Sequence, residues 1–357
     1  MKKNKNIIIL SVLILVAIFS SWFITSPKID GDGVSYYESI KYLQGENSDP
    51  NFIPNRILTT FGSLAVISAV SQLNGNLAFT WYMLNAFLYI LSVFLIYLLV
   101  CKYKQSEETA LIATVFYMFN YGLVSFGLHY LMDMAGWFFY VLSIYLLHQH
   151  TENNKNKYLY WSAALAGTGG IFKEYALFST VAIGIVIIYQ NRSSLSSIIK
   201  KISITVPLAL LPIAILHTWV YFKFNYTYFD WIHTNSERYS DLNKLAEYIK
   251  SFGSLYNFLI PVFLLGVYEL YRNWFNLDKI KRVFLVGFFA SAAVIFAWPG
   301  VTQRILFITV PLSILIASFA IDRYKKYIYF QYALIIIYVL TNLYMDKYVL
   351  NFVNLPF

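Results

Sequence analysis

The stretch ILTTFGSLAVISAVSQLN, residues Ile57–Asn74, is where the topology of this chain is decided. A helix needs about 20 mostly apolar residues to cross a hydrocarbon core. This one is close to that length, yet it carries threonines, serines, a glutamine and an asparagine among its apolar residues. Two readings stand open from the residues: the segment crosses, or it lies in the outer half of the membrane. Every loop after it changes side with the choice.

The rest of the chain is plainly made for a membrane. Of its 357 residues, 59% are hydrophobic, 19% aromatic and only 13% charged, against about 25% charged in soluble domains. Apolar runs at 6–25, 79–100, 108–127, 131–148, 158–171, 175–190, 202–222, 251–271, 283–298, 304–320 and 328–345 predict about eleven transmembrane helices. The expected fold is all-α, a polytopic membrane helix bundle with interfacial helices in the first outer loop. No internal repeat and no long linker divides it, so residues 1–357 read as one domain with outer loops 26–56 and 223–250. The first run is longer than the apolar part of a signal peptide and no A-x-A site follows it, so it reads as a retained helix. The one cysteine, Cys101, excludes an internal disulfide framework. No Cys/His spacing suggests zinc.

Charge chooses between the two readings of 57–74. The N-terminal MKKNKN places that end in the cytoplasm. If 57–74 does not cross, the cytoplasmic loops hold 17 of the 27 basic residues, among them Lys102, Lys104, Lys155, Lys157, Lys279, Lys281 and Arg323. If it crosses, the ratio inverts. The positive-inside rule favours the first reading, and it accounts for the net charge of +9 without nucleic acid. Twelve of the 18 acids then fall outside, so a site of chemistry is expected on the outer face.

Five groups on that face have the residue types for chemistry. The first is Asp30-Gly31-Asp32-Gly33, followed by Tyr36 and Tyr37. Asp-Gly pairs favour turns, but acids at the membrane surface can also act as general base or hold a divalent metal. Arg56 is either an interfacial arginine with its stem in the apolar layer or a bidentate contact for phosphate. Lys173 and Glu174 lie between two apolar runs, where ionisable side chains are candidates for function. The nearby Gly167, Gly169 and Gly170 suit close helix packing and are not a nucleotide loop. Arg304 follows the Pro299–Gly300 break and carries the same two readings as Arg56. His129 and Asp133 stand four apart, a spacing that would let them meet across one helical turn. The 223–250 loop is rich in aromatic side chains, which form interfacial belts or stack on sugars. Its Asn225-Tyr226-Thr227 matches a glycosylation sequon of little weight.

In combination these residues resemble the GT-C glycosyltransferase superfamily. Those are multi-spanning enzymes that take a sugar from a polyprenyl-phosphate carrier. The resemblance rests on Asp32-Gly33-Val34-Ser35-Tyr36-Tyr37, Arg56-Ile57-Leu58, Lys173-Glu174 and Arg304, and by layout it covers most of the chain. It implies Asp32 or Asp30 as the catalytic carboxylate, and Arg56, Lys173 and Arg304 as cations for the donor phosphate. Glu174, Tyr36, Tyr37, His129 and Asp133 would support them. A divalent metal at Asp30/Asp32 is allowed by the residues and not required by them. The implied partners are a polyprenyl-phosphate sugar, membrane lipids and a glycan, lipid or protein acceptor, with no nucleic acid. The expected place is the plasma membrane, multi-pass, N-terminus cytoplasmic. The large C-terminal extramembrane domain of many relatives is missing, which suggests a compact member. Two other functions fit less well. An O-antigen-type polymerase wants an arginine-rich outer loop, and 223–250 holds only Arg238. A lipid-linked sugar flippase wants deep charges and related halves.

Overall fold

The computed structural model describes residues 2–25, 27–49, 51, 53–104, 106–238, 244–298 and 302–348. Asp241 and the Pro299–Gly300 break lie outside the described residues. Among the described residues the structure is helical, with no strand. The helices are α1 (Lys2–Thr25), α2 (Asp32–Leu43), α3 (Ile53–Asn74), α4 (Leu77–Lys104), α5 (Glu107–Met118), α6 (Asp133–Asn153), α7 (Asn156–Phe172) and α8 (Ser179–Gln190). They continue with α9 (Leu195–Phe224), α10 (Tyr228–Arg238), α11 (Lys244–Tyr256), α12 (Leu259–Asn273), α13 (Lys279–Ala293), α14 (Gln303–Leu306), α15 (Val310–Arg323) and α16 (Ile328–Tyr348).

Seven helices are long and apolar enough to cross a membrane, or up to eight if the pair formed by α11 and α12, bent by 92°, is one span. The protein is thus a multi-pass membrane protein. The expectation of about eleven spans is not matched at that standard: α5, α7 and α8 have 12, 17 and 12 residues. The run expected at 251–271 breaks at the α11–α12 bend instead of crossing straight. Broad apolar faces remain exposed, as at Leu210, Leu211, Ile215 and Phe222 of α9, a surface suited to lipid.

Helix α3 is one of the seven by length and composition, but its contacts describe a different placement. Near its start Arg56 pairs with Asp32. Near its end Ser68 and Ser71 accept hydrogen bonds from Gln44 at the end of α2. The next helix, α4, begins with Trp81 packed on Tyr36 and Tyr130. Both ends of α3 therefore lie at the end of the bundle that holds Asp32, with α2 alongside, and a kink at Thr60 (φ −146°) bends it there. Length and hydropathy leave α3 able to cross, and these contacts hold both of its ends against α2. The opposite end holds Lys104, paired with Asp322 at 3.4 Å, Lys102 on Gln149, and Lys281 on the Tyr103 carbonyl.

Small residues set two close approaches that matter for the site. A Cβ at Gly136 of α6 would stand 2.7 Å from the Lys173 Cβ. A Cβ at Gly33 of α2 would stand 3.0 Å from the Tyr130 carbonyl. Elsewhere Gly167 lets α7 meet the backbone of α9 at Leu208 and Ala209, as the glycine-rich sequence suggested.

Candidate active site

Asp32 is the first residue of α2. Gly31 before it has φ +48°, a left-handed conformation that glycine adopts without steric cost. The helix N-terminus favours a carboxylate. Arg56 donates from Nη2 to Asp32 Oδ1 at 2.8 Å, and Arg304 donates from Nη1 to Oδ2 at 2.5 Å. One carboxylate is gripped by two guanidiniums from helices far apart in sequence.

Each guanidinium has a second anchor. Arg304 also reaches Asp133 Oδ2, from Nε at 2.9 Å and from Nη2 at 2.7 Å. Asp133 is fully buried and is itself the first residue of α6. Arg56 donates from Nε to Ser35 Oγ at 2.7 Å and lies over the Tyr36 ring, 4.5 Å from its centre. Lys173, buried, donates to Tyr36 Oη at 3.4 Å and lies 3.8 Å from Glu174 Oε1. Its extended backbone between α7 and a short 3-10 turn carries it over Gly136 into the cluster.

These groups line one cavity with Asn55, Thr59, Tyr175, Trp231, Asn235, Trp298, Thr302 and Ile305. Its ionisable lining of Arg56, Lys173, Arg304, Asp32 and Glu174 sums to +1. Burial alone would raise the Asp32 carboxyl, but the charges of Arg304, Arg56 and Lys173 outweigh it and hold the group far below the usual carboxylate range. Burial likewise opposes the Lys173 charge, and Glu174, Tyr36 and Asp133 overcome it.

The sequence candidates divide cleanly. Asp32, Arg56, Lys173, Arg304, Glu174 and Tyr36 meet at the cavity, and Asp133 stands behind Arg304. Asp30 does not join them. Its side chain is exposed, and only its carbonyl takes part, accepting from the Gly33 N–H at 2.7 Å. Tyr37 points off the cavity and packs with Lys41. The expected His129–Asp133 contact is corrected. A π-helical turn at Leu123–Gly127 ends the preceding run, and residues 128–132 are not helical, so the two side chains share no helix face. His129 instead lies 3.8 Å from Asp346 of α16. Burial pushes its imidazole down to about 4, so it is neutral near pH 7. Among the described residues no group of three His, Cys, Asp or Glu side chains is placed to hold a metal ion.

Sequence reasoning missed Asn55, Tyr175 and Trp298. It reached Trp231 and Asn235 only as part of an aromatic outer loop. Trp231 and Trp298 face each other with ring centres 5.4 Å apart.

The family model described as dolichyl-phosphate-mannose-protein mannosyltransferase matches residues 60–219, less than half of the chain. Over that segment the chain is similar to this mannosyltransferase family. The matched segment contains Asp133, Lys173 and Glu174 but neither Asp32 nor Arg304. A solved structure is also similar, that of the S. cerevisiae protein O-mannosyltransferase Pmt1-Pmt2 complex bound to the sugar donor, at 16% identity and a TM-score of 0.47. The match covers 62% of this chain and 34% of that one, so the chain spans about a third of the length of that relative. A comparison with curated proteins gives no match.

Proposed function

We propose that this protein is a GT-C glycosyltransferase that transfers a sugar from a polyprenyl-phosphate carrier to an acceptor hydroxyl at the outer face of the plasma membrane, inverting the anomeric carbon. The observation that carries this is the gripping of Asp32 by Arg56 and Arg304, with Lys173 in the same cavity. A base and three cations are the groups that such a displacement needs.

In the proposed reaction the donor phosphate binds to Arg56, Arg304 and Lys173. Guanidinium forks match phosphate oxygens. The acceptor oxygen attacks the anomeric carbon from the side opposite the phosphate. The new C–O bond forms as the bond to the phosphate oxygen breaks. The proton of the hydroxyl passes to Asp32, and the leaving phosphate keeps the electron pair beside the cations. While both arginines grip it, Asp32 is a weak base, because they favour its ionised form. A phosphate that competes for the guanidiniums frees lone pairs on Asp32 and raises its basicity. Donor would then bind before acceptor.

The side of the membrane is read from charge. With α3 lying across the Asp32 end, the basic loops at Lys102–Lys104, Lys279–Arg282 and Arg323–Lys326 share the other end with the N-terminus. The positive-inside rule makes that end cytoplasmic. The family model's description makes mannose the first donor sugar to try, with protein among the acceptors.

The test is transfer by the purified protein from polyprenyl-phosphate mannose, glucose and other hexoses, with the anomeric configuration of the product read by NMR. Arg304→Ala and Lys173→Ala should each lower kcat/KM for the donor by roughly ten- to a hundredfold, the worth of a charge-assisted contact. Normal donor kinetics in both variants would make these residues interfacial anchors.

A further inference from the structure

Two oxygen atoms of the cavity are buried and have no hydrogen-bond partner: Glu174 Oε2 and Asn55 Oδ1. The Glu174 side chain is 9% exposed, and Lys173 approaches its other oxygen at 3.8 Å. Buried oxygens are almost always satisfied, and leaving one without a donor is costly. Both atoms accept hydrogen bonds, and both residues line the same cavity as Asp32. A ligand that satisfies them must bring donors.

Their position in the chain restricts which part of a ligand that is. Asn55 precedes Arg56, and Glu174 follows Lys173. Each acceptor is therefore the immediate neighbour of a cation assigned above to the donor phosphate. In a polyprenyl-phosphate sugar, the group one bond beyond the phosphate oxygen is the sugar ring. Trp231 and Trp298 supply an aromatic wall to the same space, suited to the C–H face of a pyranose.

We infer that Glu174 and Asn55 are specificity-determining residues that accept hydrogen bonds from hydroxyls of the donor sugar, against the Trp231–Trp298 wall. This rests on the donor reading given above. It adds which hydroxyl-bearing ligand the cavity selects and which atoms select it.

The test compares the hexose donor that wild type uses best with its single-deoxy analogues, in wild type, Glu174→Gln and Asn55→Ala. Wild type should lose roughly ten- to a hundredfold in kcat/KM for at least one analogue, the one lacking the paired hydroxyl. Each variant should lose most of that penalty at one position while keeping the penalties at the others. Asn55 Oδ1 bonds nothing in the protein, so Asn55→Ala keeps the test informative if Glu174→Gln fails to fold. Equal losses for parent sugar and every analogue, or kinetics unchanged from wild type, would overturn the inference. If wild type used no lipid-phosphate hexose at all, the donor reading itself would fall and the inference with it.

Discussion

Asp32 lies in a field that keeps it ionised and also keeps it a poor proton acceptor. Arg56 and Arg304 do both, and Asp133 holds Arg304 in place from behind. The sign of the effect on stability follows from the direction of the shift. The folded-state value is depressed below the unfolded one of about 3.9, so the stabilisation is complete above that value and is lost only as pH falls through the lower, folded value. Melting wild type and Asp32→Asn side by side at about pH 7 and about pH 5 should therefore show the same gap at both. The gap should narrow as the pH falls below about 3.9, and a gap that stayed constant there would mean that the carboxyl titrates in the ordinary range and that the arginines do not depress it. Asp32, Arg56, Lys173 and Arg304 were legible in the sequence because short motifs mark them. Asp133 was legible only as a residue of interest. Its partner was misread because four-residue spacing implies a shared face only inside a helix, and the π-helical turn ends the helix before His129.

Among the helices, α6 does more than pass through the bundle. Its first residue, Asp133, anchors Arg304, and one turn later Gly136 leaves room for the stem of Lys173. An added methyl at 136 would stand 2.7 Å from the Lys173 Cβ and 2.9 Å from its Cγ, so Lys173 must move. Gly136→Ala should lower donor kcat/KM by roughly tenfold, as loss of a charged contact would. Gly184→Ala, where nothing lies within 4 Å of the new Cβ, should not. Equal activity in the two variants would take the Lys173 position out of the account. Sequence spacing had no means of finding such a pair: it sees Gly136 inside one apolar run and Lys173 between two others. The same limit hid the approach of Trp231 to Trp298, which joins residues 67 positions apart, counted as 298 minus 231.

At the scale of the molecule, hydropathy read the fold class. The number of spans was less legible, because α5, α7 and α8 are short and α11–α12 bends sharply. The segment 57–74 looked ambiguous for a physical reason. It is apolar enough to cross and polar enough to lie at the bundle's end, where Gln44 and Asp32 contact its two ends. In a Cys101→Ser background, Asn47→Cys should be labelled by an impermeant maleimide on intact cells and Lys155→Cys should not. The reverse pattern would invert the molecule. The central claim is that Asp32 takes the acceptor proton, and turnover of Asp32→Asn beside Asp30→Asn with the same lipid-phosphate donor tests it most directly. Asp32→Asn keeps the size of the side chain and loses the proton acceptor. Its turnover should fall by on the order of a hundred- to ten-thousandfold with donor binding retained, while Asp30→Asn, altered outside the cavity, should stay near wild type. An active Asp32→Asn enzyme beside a dead Asp30→Asn enzyme would contradict the account.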